Sequence, residues 1–357
     1  MKDLLAARDE LIDRFLKPRR AGGVSLAAAP RSPRTLGIMS LAVAPGGGPI
    51  AFAALRESAS PASAAIESRV HAIGIGSKNR TGEPAVVVYV TRRLPDEMVP
   101  IGSKVPEKLH GVATAVVESP MARLAVGSGD RKKKVRPLIC GISVSRADGP
   151  SGTIGAFVRS KRPADPKGAR LLLSNSHVLA PESGTVAGTS IVQSSVDDGE
   201  SETIATVLRA TRLHRTVPIA VDAAVAQIAD SIPYVNTICE IGKPAGTADP
   251  VKEMLVEKHG RTSGRTTGKI KAVGLTAQVN DPDRRIELTF INLFRVEALS
   301  GDDGSVADFG DSGSLVVEKT SRNAVGLLHA ADELGTFYYA HPIADVLREL
   351  DIELELS

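Results

Sequence analysis

Gly310-Asp311-Ser312-Gly313-Ser314-Leu315-Val316-Val317 is the stretch on which the reading turns. Two glycines bracket Asp311 and Ser312, and an apolar run follows at once, which predicts a tight turn feeding a buried strand. Gly310 can take backbone angles that a side chain forbids, so its amide can point inward. The amides of Gly310 and Ser312 are then candidate donors to an oxyanion.

Two other stretches carry what such a Ser needs. Leu171-Leu172-Leu173-Ser174-Asn175-Ser176-His177-Val178-Leu179 is an apolar strand running into a His at a turn. Val221-Asp222-Ala223-Ala224-Val225-Ala226-Gln227-Ile228 sets an Asp at the head of an apolar strand. A hydroxyl is a poor nucleophile until an imidazole takes its proton, and the imidazole needs a carboxylate on its other nitrogen. Asp197 and Asp198 compete with Asp222, but their polar Asp-Asp-Gly turn reads as solvated.

Outward from these segments, residues 137–341 hold many short apolar runs between turns, among them 171–173, 221–228, 269–273, 286–293, 314–317 and 324–328. This predicts a mainly β sandwich or barrels rather than alternating βα units. Residues 342–350 read as a helix with Ile343, Val346, Leu347 and Leu350 on one face. Upstream, residues 1–20 hold an amphipathic helix with Leu4, Leu5, Leu11, Ile12, Phe15 and Leu16 on its apolar side. Residues 21–66 read as an Ala/Pro/Ser/Gly-rich linker, 67–126 as a small α/β domain, and 127–136 as a basic linker. A unit of about 50 residues has a thin core, so the small domain is expected to lean on a neighbour.

The order His177, Asp222, Ser312, together with the Gly-Asp-Ser-Gly turn, resembles the trypsin/chymotrypsin-like serine peptidases. In particular the chain is similar to bacterial relatives of the plant narrow-leaf-type proteases. That likeness rests on Gly82-Glu83-Pro84-Ala85-Val86-Val87-Val88 with Arg92-Arg93-Leu94-Pro95, on Gly111-Val112-Ala113-Thr114, and on His259-Gly260-Arg261-Thr262-Ser263-Gly264-Arg265-Thr266-Thr267-Gly268. The resemblance implies a double β-barrel with a C-terminal helix over 137–350, barrels at about 137–232 and 233–341, and a serine endopeptidase that forms an acyl-enzyme on Ser312. It implies that residues 324–331 pair with substrate backbone, which makes His329, Ala330 and Ala331 substrate-binding, and it sets Val306 near the pocket floor. Apolar side chains are then expected before the scissile bond, unless Asp302, Asp303 or Asp308 reaches the pocket. His329 and His341 stay open between lining the cleft and serving in the core. Ser314 stands where most members have Gly, and no N-terminal activation sequence is evident, so the partner of Asp311 is open. The competing reading is a protease-fold scaffold or latent peptidase that mainly binds partner proteins; the intact triad argues against it.

Composition bounds the rest. Hydrophobic residues are 42% and charged residues 24% of 357, which excludes a wholly disordered chain. Residues 1–136 carry 22 Lys/Arg against 12 Asp/Glu, and residues 137–357 carry 22 against 29. The resulting +10 and −7 suggest faces that attract each other, and a homo-oligomer is expected. The basic tract Arg131-Lys132-Lys133-Lys134-Val135-Arg136 lacks interleaved aromatics, which argues against nucleic acid; it is read as a solvated linker open to nicking. The Pro45-Gly46-Gly47-Gly48-Pro49 break argues against a membrane helix over 35–55. Asp9, Glu10 and Asp13 do not suit a secretory signal, and two cysteines, Cys140 and Cys239, fit a reducing compartment, so a cytoplasmic site is expected. No Cys/His cluster has zinc spacing, and neither metal nor cofactor is expected. The 264–269 stretch fails the phosphate-loop spacing, while Arg261, Arg265, Lys269 and Lys271 are candidates for an anion-attracting edge.

Overall fold

A computed structural model describes residues 1–16, 70–78, 82–99, 103–119, 123–124, 133–181, 186–281, 286–299 and 305–356. The 21–66 linker and most of the 127–136 tract lie outside the described residues. At the front, helix α1 (Lys2–Phe15) precedes β1 (Val70–Ser77), β2 (Pro84–Val90), β3 (Lys108–Leu109), β4 (Val112–Glu118) and β5 (Arg123–Leu124). Then come β6 (Leu138–Cys140), β7 (Ser143–Arg146), β8 (Ser151–Thr153), β9 (Ala156–Ser160), β10 (Leu171–Ser174), the single-turn α2 (Ser176–Leu179), β11 (Ser190–Gln193), β12 (Glu202–Ala210) and β13 (Ala224–Ile228). The third group is β14 (Tyr234–Ile238), β15 (Gly246–Thr247), β16 (Leu255–Gly260), β17 (Gly264–Asp281), β18 (Ile286–Ala298), β19 (Leu315–Glu318), β20 (Asn323–Ala331) and β21 (Phe337–Pro342). Helix α3 (Ile343–Leu350) and β22 (Ile352–Leu354) end the described chain.

The strand pairings close two rings. In the first, β7 pairs β8, β9 pairs β10, and β10, β13, β12, β11 and β7 follow in turn. β8 and β9 are two halves of one bent run. At the bend the Ile154 amide still bonds Ile142 of the β7 side, while the Gly155 amide has changed over to Leu173 of β10. In the second ring the order is β16, β19, β20, β21, β18, β17 and back to β16. The chain is therefore mainly β, a chymotrypsin-like double barrel with a C-terminal helix. Closure removes the open edges that flat sheets expose.

β10 shows why the sequence folds this way. Its Leu-Leu-Leu-Ser run is buried along its whole length, because one face fills the barrel and the other meets neighbouring structure. Leu315, Val317, Ala324 and Leu327 of the second barrel join the first barrel's apolar cluster, as do Ile343 and Val346 of α3. This shared core fixes one barrel against the other and so sets the site between them. α3 ends at Asp351, whose φ of 50° turns the chain out of the helix.

The front strands extend the second barrel's sheet: β1 pairs β17, with Ala72 opposite Ala277. The neighbour that this unit leans on is thus β17. α1 lays Ala7, Leu11 and Leu16 on Ile73, Val86 and Val88. Leu5, set on the apolar side by periodicity, is exposed instead; the covered stripe is narrower than the pattern. Among the described residues no helix is long and apolar enough to cross a membrane.

Candidate active site

The site is assembled from three chain ends. β10 stops at Ser174, Asn175 takes extended backbone, and the single turn of α2 begins, which swings His177 back toward the barrel mouth. Asp222 lies just before β13, whose pairing with β10 brings the two residues together. The His177 Nδ1 and Asp222 Oδ2 atoms are 2.5 Å apart, and the His177 amide donates to Asp222 Oδ1 at 3.1 Å. The Asn175 amide nitrogen donates to the Asp222 carbonyl at 2.7 Å, which holds the carboxylate-bearing segment in place.

Burial alone pushes the Asp222 carboxyl up, but the adjoining His177, aided by His329, holds it well below the usual carboxylate range. A charged carboxylate on Nδ1 fixes the proton there and leaves the lone pair on Nε2, the arrangement of a general base. His177 Nε2 is buried and makes no hydrogen bond in the described structure.

Ser312 sits in the turn before β19. Its hydroxyl donates to the His329 carbonyl at 3.1 Å, and its own carbonyl accepts from the Thr153 amide at 2.8 Å. Gly313 has a φ of 92°, and a Cβ there would lie 2.1 Å from Ser174 Oγ and 2.4 Å from the Thr153 carbonyl. Only glycine lets the turn of Ser312 dock so closely on the first barrel. Gly310, at a φ of 97°, accepts from Thr153 Oγ1 at 2.8 Å.

The partner of Asp311, open from sequence, is Lys258. Both side chains are fully buried, with Lys258 Nζ 2.7 Å from Asp311 Oδ2. The Thr262, Ser263 and Asp308 amides also donate to this carboxylate, at 2.9, 3.1 and 3.0 Å. Burial pushes the Asp311 carboxyl up; Lys258 and the surrounding donors outweigh it and bring it below the usual range. The turn bearing Ser312 is thus pinned by an internal cation from β16. Lys258 has no local signature, since a lysine in the polar run Glu257-Lys258-His259 looks like a solvated residue until its partner, 53 positions away, is known.

Two expectations need correction. Asp198 does not belong to a solvated turn: its side chain is buried and paired with the equally buried Arg261, and Ser143 Oγ donates to it at 2.5 Å. Asp197 is exposed, yet its carboxylate accepts from Ser151 Oγ at 2.5 Å. The anion-attracting edge is not formed either. Arg261 is inside, Arg265 pairs with Glu257, and Lys269 and Lys271 both face Glu253. Arg265 meets Glu257 across the β16–β17 pair, and both lysines share the carboxylate of Glu253 just before β16, so these charges are engaged within the chain.

His329 and His341 lie behind the pair rather than out in solvent. Both are fully buried; His329 Nδ1 is 3.7 Å from Asp222 Oδ2, and His341 Nε2 accepts from the Asp222 amide at 3.1 Å. Their rings stack on each other and against Phe290. Burial holds both below the usual histidine range, so they are neutral second supports of Asp222. Val306 is packed among Ile270, Phe294 and Val316 in the second barrel's core. Ala330 and Ala331 are buried, with Tyr339 and Tyr338 on one side and Leu124 and Arg123 of β5 on the other. Cys140 is buried and its thiol is pushed up to about 12, so it is no nucleophile at neutral pH.

No family model and no curated protein matches the sequence. Among solved structures, the chain is similar to a chymotrypsin of Cellulomonas bogoriensis at 17% identity and a TM-score of 0.43, covering 61% of this chain and 98% of that one. A Nocardiopsis protease gives 18%, 0.43, 61% and 98% on the same measures. The active form of the Rv3671c protease of M. tuberculosis gives 14%, 0.36, 68% and 95%.

Proposed function

We propose that this chain is a serine endopeptidase that hydrolyses peptide bonds through His177, Asp222 and Ser312. The observation that carries the reading is the buried His177–Asp222 pair, which leaves Nε2 without a hydrogen bond, in a chain whose Ser312 turn is pinned through Asp311 by Lys258. A rotation of the Ser312 hydroxyl from the His329 carbonyl toward Nε2 starts the reaction. Its proton passes to Nε2 as its oxygen bonds to the substrate carbonyl carbon. The Gly310 and Ser312 amides are the proposed donors to the resulting oxyanion. The leaving amine takes the proton from His177, and water then repeats the sequence on the acyl-enzyme. With no acidic residue at Val306 and small walls at Ala330 and Ala331, apolar side chains are the proposed preference before the cleaved bond. The sequence likeness to narrow-leaf-type proteases and the +10/−7 charge division support self-association, which light scattering checks.

A latent state of the same enzyme is favoured by one observation. β5 pairs antiparallel with β20, Arg123 opposite Ala331 and Leu124 opposite Ala330, on the strand read as the substrate's. Those two residues lead away from His329, whose carbonyl holds the Ser312 hydroxyl. The chain's own backbone thus lies where an extended substrate would add a strand. The test of the main reading is a peptide-library digest followed by mass spectrometry, with Ser312→Ala as control. Cleavage after apolar residues, absent in Ser312→Ala, supports it; cleavage that persists in the pure variant rejects it.

A further inference from the structure

Away from Ser312, one group of side chains has the chemistry of a metal-ligand set. Cys239, Glu240 and His259 each bring one ligand atom, and the three atoms lie within 4.8 Å of one another. Cys239 and Glu240 occupy the turn after β14, where Ile238 and Gly242 exchange backbone hydrogen bonds at 2.9 Å. The Cys239 amide donates to the Cys140 carbonyl at 3.0 Å, and Arg265 Nη1 donates to the Glu240 carbonyl at 3.1 Å. The turn is therefore held to β6 on one side and to β17 on the other. His259 comes from β16.

The ring orientation of His259 is set by its other nitrogen. Nδ1 lies 3.0 Å from the Gly141 carbonyl, which can only accept, so Nδ1 carries a proton and the neutral ring keeps its lone pair on Nε2. Metal-bound imidazoles are oriented by this same kind of bond. Gly141 has a φ of 87°, and a Cβ there would lie 2.7 Å from His259 Nδ1, so the ring's approach requires glycine. Nε2 is 3.7 Å from Glu240 Oε1. Zinc bonds of about 2.0–2.1 Å in tetrahedral geometry put such atoms about 3.4 Å apart, so a small closure suffices. Glu240 is 54% exposed, which leaves a fourth position facing water.

We propose that Cys239, Glu240 and His259 bind one divalent ion of the zinc class. A thiolate, an imidazole and a carboxylate together favour such an ion over magnesium or calcium. The Cys239 thiol gives its proton to solvent as it ligates. The ion ties the turn between the barrels to β16 next to Lys258, the residue that pins Asp311, and so braces that strand end. The rival account is a protonated His259 facing Glu240 with no ion.

The test uses the full chain, stripped with a chelator and titrated with Co²⁺ alone, then with Zn²⁺. The expected result is one Co²⁺ per chain, visible ligand-field absorption, a near-ultraviolet thiolate charge-transfer band, and displacement of both by Zn²⁺. Cys239→Ser removes the charge-transfer band. Glu240→Gln, an exposed change that spares folding, weakens Co²⁺ binding by about tenfold or more. Zn²⁺ raises the melting temperature of the wild type but not of Cys239→Ser. No band in the wild type, a band unchanged in Cys239→Ser, or equal affinity in Glu240→Gln overturns the site.

Discussion

Lys258→Met tests whether an internal cation holds the turn that carries Ser312. The substitution keeps the length of the side chain and removes its charge from a fully buried pair. Breaking a buried ion pair costs about 3–5 kcal/mol, because the remaining charge is left uncompensated. Asp311 keeps three amide donors, so the expected loss is at the lower end, about 3 kcal/mol. In a domain of this size that lowers the melting temperature by about 6–12 °C. Thermal unfolding followed by circular dichroism reads it, beside Asp311→Asn and the double variant. The double variant should lose less than the two singles together, by about 1–3 kcal/mol, since neither partner is then left charged alone. The pair also has a pH signature. The Asp311 carboxyl is lowered in the folded state, so its contribution is present above the unfolded value of about 3.9 and lost as pH falls below it. A Lys258→Met protein as stable as the wild type, with additive losses in the double variant, would refute the reasoning.

Three further outcomes follow. Stability should fall between about pH 7 and pH 5, because buried His329 and His341 stay neutral while the unfolded chain takes up protons below about 6.5; urea midpoints that do not move over this range contradict it. Gly313→Ala should cost about 1–3 kcal/mol from the backbone alone and more from the contacts with Ser174 and Thr153, read by urea unfolding; a near-neutral result contradicts the docking of the turn. Arg123→Pro with Leu124→Pro removes both amide donors of β5 and should raise the rate of peptide hydrolysis, and an unchanged rate argues against self-occupancy of β20.

The parts of the fold legible in the sequence are those with a local signal. The leucine run before His177, the apolar strand after Asp222 and the glycines around Ser312 each announce a strand and its end within a few residues. The same holds for α3, whose apolar spacing is helical. Long-range pairing leaves no such trace. Nothing near Asp198 points to Arg261, 63 positions on, so the sequence alone makes a buried ion pair look like a solvated turn. Lys258, Cys239 and His259 gain meaning only once β16 is set beside the turn that follows β14. Likewise β5, two residues long, carries no strand pattern, and its pairings with β20 and β17 reveal it. The two histidines behind Asp222 are legible in the sequence as cleft or core residues, and both are buried against Asp222.

The central claim, that Ser312 is a nucleophile activated by His177, is tested most directly by labelling the purified chain with a fluorophosphonate probe and weighing the intact protein. One adduct per chain is expected, located on Ser312 by peptide mapping, lost in Ser312→Ala and slowed about 10⁴-fold or more in His177→Ala. Labelling at another residue, or labelling of Ser312 that proceeds equally fast in His177→Ala, would contradict it.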